Sequence, residues 1–197
     1  MVNVWAIILA AGKSTRMKKQ KLLLPFNGKT IIETVISNSM QVFGEKILVV
    51  LGSHHEEIKK QIERLPVKTC INENYPDGML SSVICGFQAL PEEAVAAMLF
   101  LGDQPQIPSG VGRAVLDKWR QSGKGIVIPV SGGRRGHPVL IERKYKPEIE
   151  CLDSDKGLRQ LMEKFSSDVA EVESARSEIL RDIDTPEEYL REINKKE

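Results

Sequence analysis

Apolar, β-branched runs of strand length recur along this chain, at Val4–Ala10, Ile47–Leu51, Val67–Ile71, Ala96–Leu101 and Ile126–Val130. Between them the apolar positions fall at helical spacing. In "TIIETVISNSMQVF", Ile32, Val35, Ile36 and Val42 lie near one face of a helix, and Thr30 with Glu33 has the spacing of a capping box. "SHHEEIKKQIERL" opens with Ser53 and Glu56 in the same relation, which predicts a second capped helix. "SGVGRAVLDKWRQSG" follows the fourth run and ends on a glycine suited to a C-cap. Further on, "SDVAEV" predicts another strand and "TPEEYLREI" a last helix with Pro186 in its first turn. Strands that are apolar throughout, rather than alternating, are covered on both faces. The pattern therefore predicts an α/β fold, a single doubly wound and mostly parallel sheet forming one domain over residues 1–197.

Composition narrows the possibilities. A chain of 197 residues can build one sizeable core. A formal net charge of +1 gives no electrostatic case for a nucleic-acid partner or an anionic membrane. Cys70, Cys85 and Cys151 are far apart in sequence with no CxxC pair, which argues against a zinc ribbon and against a disulfide framework. The opening "MVNVWAIILAAG" has no basic leader, and its apolar run breaks at Gly12. It is too short for a membrane span and a poor signal peptide, so the expectation is a soluble, cytoplasmic protein.

Ligands of doubly wound sheets bind beyond the carboxyl ends of the strands, so the loops there are the places to look for chemistry. The first is "LAAGKSTRMKKQK", Leu9 to Lys21. A turn of small residues (Ala10, Ala11, Gly12) lets backbone N–H groups approach an anion closely. Arg16 then offers a planar fork and Lys21 a point charge to phosphate oxygens. The stretch is neither GxxxxGK[ST] nor GxGxxG, and on local composition alone a solvated basic loop is an equal alternative. In "NYPDGMLSSVICG", Gly78 followed by Ser81 and Ser82 offers donors to a base or ribose, although serines at a helix start are also ordinary caps. Cys85 there suits the core better than nucleophilic duty.

Two further loops carry acids. In "LFLGDQPQI", Asp103 follows an apolar strand and a glycine, a position suited to a hard cation such as Mg²⁺ bridged to phosphates, or to a plain turn. "GGRRGHPV" reads as a tight hairpin feeding Val139–Ile141, with His137 near the turn. In "RDIDTPEE", Asp182 and Asp184 flank Ile183, so their side chains share a face if the segment is extended. Either acid could join Asp103 as a second metal ligand.

Together these stretches resemble a family. "LAAGKSTRMKKQK" is similar to the LAAGxSxRMGxxK signature of nucleotidyltransferases, and "GDQP", "GHPV" and "DIDTPEE" follow in that family's order and spacing. The resemblance is to the MobA-like NTP transferases, in particular the molybdenum cofactor cytidylyltransferase branch, and covers nearly the whole chain. Lys18 stands where the pattern usually carries Gly, and Ile84 where relatives often carry a basic residue. The resemblance implies a Mg²⁺- or Mn²⁺-dependent transfer of a nucleotide from an NTP to a phosphorylated acceptor, with release of pyrophosphate. It assigns Leu9, Ala10, Ala11, Gly12, Lys21, Gly78, Ser82 and Asp103 to the nucleotide, Arg16, Lys21 and Asp103 to catalysis, and Arg135 and His137 to the acceptor side. The metal falls to Asp103 and Asp184, with Asp182 in reserve. The LAAG form, where guanylyl-transferring relatives carry LAGG, points to CTP, and the branch points to molybdopterin, with a molybdenum hydroxylase apoenzyme as a further partner. Transfer to a sugar phosphate or methylerythritol phosphate on the same scaffold is one alternative. A non-catalytic cofactor-insertion chaperone is another.

Overall fold

The computed structural model describes residues 3–17 and 19–194, so Lys18, where the sequence departs from the family signature, lies outside the described residues. In chain order the elements are β1 (Val4–Ala10), β2 (Pro25–Phe26), β3 (Lys29–Thr30), α1 (Ile31–Phe43), β4 (Ile47–Leu51), α2 (His55–Ile62), β5 (Lys68–Ile71), α3 (Met79–Ala89), β6 (Ala96–Leu101), α4 (Ser109–Ser122), β7 (Ile126–Ser131), β8 (Arg134–Arg135), β9 (Val139–Glu142), α5 (Lys146–Glu150), α6 (Leu158–Lys164), β10 (Val169–Glu173) and α7 (Pro186–Ile193). Eight strands form one sheet in the order β10–β7–β9–β6–β1–β4–β5, with β8 pairing to β7 off this line. β1 is parallel to β4 and β6, β4 to β5, and β7 to β10. β8 and β9 run antiparallel to β7, and β9 also to β6, because a tight hairpin turns the chain straight back. Gly132 and Gly133 make that turn, both at positive φ (55° and 74°). A tight two-residue hairpin of this kind favours glycine.

Alternation along β1 shows why the sheet is covered twice. Val4, Ala6, Ile8 and Ala10 face a core with Ile32 and Ile36 of α1, Ile58 of α2 and Val115 of α4. Trp5 and Ile7 face the opposite core, with Val83 and Phe87 of α3, Ile149 of α5 and Leu161 of α6. Neighbouring residues thus go to opposite faces, and both faces are apolar.

The local signals act unevenly. The capping box of α1 forms: Thr30 Oγ1 accepts from Glu33 N–H, and the Glu33 carboxylate accepts from Thr30 N–H at 2.8 Å. α4 ends at Gly123 in the left-handed conformation (φ 64°). The expected box at Ser53 does not form. Ser53 N–H instead donates to Ala11 O (3.1 Å), and α2 starts two residues later, behind a left-handed His54 without a side-chain cap. At the far end of α1, Phe43 reaches the core and Val42 only half does. No helix among the described residues is long and apolar enough to cross a membrane.

The strand order reverses beside β1. The chain builds outward through β4 and β5, then returns to the other side with β6. Such a switch point opens a crevice beyond the carboxyl ends of β1 and β6.

Candidate active site

That crevice holds a cavity of about 380 Å³. Its floor is the turn after β1, drawn tight by two glycines. A methyl group on Gly52 would come within 2.7 Å of Ala11 Cβ, and one on Gly102 within 2.8 Å of Leu9 O. Only residues without a Cβ let the ends of β4 and β6 close against this turn. Gly12 differs. A methyl there would meet nothing within 4 Å, so protein packing does not require the glycine, and its side faces the cavity. Among the described residues, the backbone N–H groups of Gly12, Lys13 and Ser14 have no acceptor. Ser14 is left-handed (φ 52°). Consecutive free N–H groups on such a turn make an anion nest.

The return of the loop is fixed by two side chains. Ser14 Oγ donates to Gln20 Oε1 (2.8 Å), which also accepts from Leu22 N–H (3.2 Å). With Leu22 buried, this staple delivers Lys21 inward. Lys21 Nζ lies 2.5 Å from Asp103 Oδ2 and 2.7 Å from Asp184 Oδ1, with its side chain 11 % exposed. Arg16 reaches the other Asp184 oxygen at 2.8 Å from solvent. Burial on its own would lower the Lys21 pKa, but the Asp103 and Asp184 carboxylates overcome it and raise it. Burial likewise pushes Asp184 up, while Lys21 and Arg16 hold it below the ordinary carboxylate value.

Asp182 lies in a different environment. Burial and the Asp103 charge raise its pKa, and the hydrogen bond from Gln104 opposes them in part. Gln104 Nε2 donates to Asp182 Oδ1 (2.8 Å) and to Arg181 O (3.1 Å), while Ile183 N–H donates to Asp103 O (3.3 Å). Ile183 is fully buried between the two acids. The extended segment 181–184 is thereby tied across the end of β6, and Asp182 and Asp184 both line the cavity.

Leu9, Ala10, Ala11, Gly12, Arg16, Lys21, Gly78, Ser82, Asp103, Asp182 and Asp184 all line this one cavity. Ser81 and Ser82 do not cap α3; both hydroxyls accept from the Asn72 amide. Arg135 lies elsewhere, exposed on the sheet and paired with Glu171 at 2.9 Å. His137 is half-buried and outside the cavity lining. Burial lowers its pKa to about 4, against a smaller upward pull from Asp103. Cys70 and Cys85, distant in sequence, come within 3.7 Å as free thiols. Sequence reasoning missed Ser14, Gln20, Asn72 and Gln104. "GDQP" did contain Gln104, but its partners are 77 and 78 positions away, beyond any local pattern.

A small-residue turn at a switch point, a pocket of this size and two acids around a lysine are the parts that a nucleotidyltransferase site requires. The chain belongs to the MobA-like NTP transferase family, whose domain model matches residues 6–171. It is 31% identical to the molybdenum cofactor cytidylyltransferase of Escherichia coli strain K12, over 96% of this chain and 95% of that protein. It is also 25% identical to nicotine blue oxidoreductase of Paenarthrobacter nicotinovorans, over 95% of each chain. Among solved structures it shares the fold of Rv0371c from Mycobacterium tuberculosis H37Rv, with a TM-score of 0.86 at 24% identity over 98% of this chain and 97% of that one. A structure of Rv0371c in complex with manganese superposes with a TM-score of 0.83 at 22% identity, over 99% of this chain and all of the other.

Proposed function

We propose that this nucleotidyltransferase transfers CMP from CTP to the terminal phosphate of molybdopterin, releasing pyrophosphate. One observation carries the reading: the ammonium of Lys21 sits between Asp103 and Asp184, at the inner end of a loop with free N–H groups. This is a site that manages several negative charges rather than one that activates a weak nucleophile. An acceptor phosphate is already ionised near neutral pH, so the reaction needs alignment and charge stabilisation more than a strong base. The Gly12–Ser14 N–H groups and Arg16 would hold the triphosphate. The acceptor oxygen then attacks the α-phosphorus, the bridging bond to the β-phosphate breaks, and pyrophosphate leaves with that electron pair. Arg16, two-thirds exposed, is free to follow the departing charge. The similarity to the E. coli cytidylyltransferase and the LAAG turn support CTP and molybdopterin. The acceptor side is assigned to the segment near His137, whose imidazole feels the Asp103 charge. Arg135, exposed and paired with Glu171, would join it only by leaving that ion pair.

The residues fit a divalent cation. Two hard carboxylate oxygens already converge on a positive charge, and no group of three or more His, Cys, Asp or Glu among the described residues would complete a closed protein cage. An open pair of carboxylates suits Mg²⁺ or Mn²⁺, which fill their octahedral shells with phosphate and water oxygens. Asp103 and Asp184 would hold it, with Asp182 beside them. When bound, the ion would neutralise the triphosphate and polarise the α-phosphate.

The test is pyrophosphate release with each of the four NTPs, with and without molybdopterin carrying molybdenum. The expected result is release that requires CTP and the pterin together. Release with a sugar phosphate or methylerythritol phosphate instead would move the acceptor. Nucleotide or pterin binding without release in any combination would favour the chaperone reading. Asp103→Asn and Asp184→Asn should each lower kcat far more than they raise KM.

A further inference from the structure

Asn72 follows β5 and is 4 % exposed. Its backbone N–H donates to Leu51 O (2.7 Å), and its Oδ1 accepts from Asn74 N–H at 3.0 Å. A backbone N–H can only donate, so this bond fixes which end of the amide is oxygen. The NH₂ end must therefore be the one that meets Ser81 Oγ (2.9 Å) and Ser82 Oγ (3.0 Å). Both amide protons go to hydroxyls, and both hydroxyls must accept. Ser81 passes its own proton back to Gly78 O at 2.8 Å and does not line the nucleotide cavity. Ser82 does line it and is 5 % exposed, and among the described residues its hydroxyl takes part in a hydrogen bond only as the acceptor from Asn72. A buried donor without an acceptor is unfavourable, so the hydroxyl is completed only by a group entering the cavity.

The surroundings say which part of a nucleotide that is. Lys21, Arg16 and the acids mark the phosphate end, whereas Ser82 shares its wall with Gly78, Met79 and the ring of Tyr75. Those three residues are themselves uncharged, with the Lys13 ammonium 5.7 Å from the Tyr75 ring centroid, and their flat and apolar surface suits a base. We propose that Asn72 is a positioning residue that commits the Ser82 hydroxyl to donating into the cavity, so that the enzyme selects bases presenting an acceptor there, a keto oxygen or an unprotonated ring nitrogen. This rests on the nucleotide-transfer reading and deepens it.

The chemistry offers a direct reversal. Asn72→Asp keeps the shape and the bond from Asn74, but a carboxylate accepts from the serines instead of donating, which turns the Ser82 proton away from the cavity. The experiment measures dissociation constants of all four NTPs, without acceptor or turnover, for the parent, Ser81→Ala, Ser82→Ala, Asn72→Asp and Asn72→Asp/Ser82→Ala. Thermal melts check folding. If Asn72→Asp does not fold, Asn72→Ala takes its place, since it frees the hydroxyl to rotate. Ser82→Ala and the Asn72 variant should each weaken the preferred NTP roughly five- to tenfold and flatten the preference among bases. The double variant should bind no worse than Ser82→Ala alone, and Ser81→Ala should match the parent. Losses that multiply in the double variant, or an unchanged base preference in Ser82→Ala, would overturn the inference while leaving nucleotide transfer standing. A parent that binds no NTP would overturn both.

Discussion

Lys21→Met tests the central electrostatic claim, because methionine keeps most of the stem and removes the ammonium. In the parent, one charge lies 2.5 Å from Asp103 and 2.7 Å from Asp184, so those carboxylate oxygens lie within twice a hydrogen-bond length of each other. Without the ammonium, two acids and the nearby Asp182 face only Arg16, which is mostly in solvent. Breaking a fully buried pair by removing one partner costs about 3–5 kcal/mol. The side chains here are 11 %, 19 % and 27 % exposed, so water tempers the repulsion, and about 2–3 kcal/mol is expected. Urea unfolding at neutral pH measures it. The informative arm is the second substitution. If the cost is repulsion, Asp184→Asn in the Lys21→Met background should recover about 1 kcal/mol or more, whereas the same change in the parent removes a partner and destabilises. A Lys21→Met protein as stable as the parent, or one destabilised further by Asp184→Asn, would refute the reasoning. Its NTP affinity should also fall by roughly tenfold or more, the worth of one charge-assisted contact.

Three further outcomes follow from particular residues. Gly12→Ala has room for its methyl, so thermal stability should hold or rise by up to about 1 kcal/mol, while NTP affinity measured by titration falls at least about tenfold because the methyl occupies ligand space. Gln104→Leu removes the bonds that hold Arg181 and Asp182, and should cost about 1–3 kcal/mol in urea unfolding and lower kcat more than it changes KM. Asp168 tests pH linkage away from the site. Burial would raise its pKa, but the Tyr145 hydroxyl and Lys144 hold it down to about 2, from 3.8. A depressed carboxylate stabilises the fold above its unfolded value, and that contribution is lost as pH falls from about 4 towards 2. Asp168→Asn should therefore cost about 1 kcal/mol at pH 7, discounted for solvent screening, and almost nothing near pH 2. A cost independent of pH would assign the effect to packing.

Much of the architecture was legible because its causes are local. A run such as Ile47–Leu51, apolar at every position, has nowhere to go but a sheet covered twice. Thr30 and Glu33 cap α1 with partners three residues apart, and Pro186 starts α7 for the same kind of reason. The box at Ser53 failed where a local rule met a tertiary one. With Gly52 pressed against Ala11 and Tyr75, the Ser53 N–H was needed to join two strand ends. The small-residue turn, the acid after β6 and the alternating acids near the chain's end were likewise visible, since each sits beside a recognisable strand or cap.

What the chain alone determined, then, is an alternating α/β sheet and a set of residues able to meet at its carboxyl edge. Which of them meet, and how they are held, was decided in three dimensions. Lys21 lies 82 and 163 positions from the acids it joins, and no periodicity spans such distances. Arg135 and His137 stand two residues apart at one hairpin, yet neither lines the cavity, because the hairpin's pairing with β7 places the arginine beside Glu171. Asn72 and Gln104 escaped notice for the same reason. An amide's meaning lies in which groups surround it, and those are supplied by the packing of β5 on α3 and of the 181–184 segment on β6. Secondary structure follows from spacing along the chain. Charge balance and the direction of a hydroxyl proton follow from neighbours that only the folded sheet brings together.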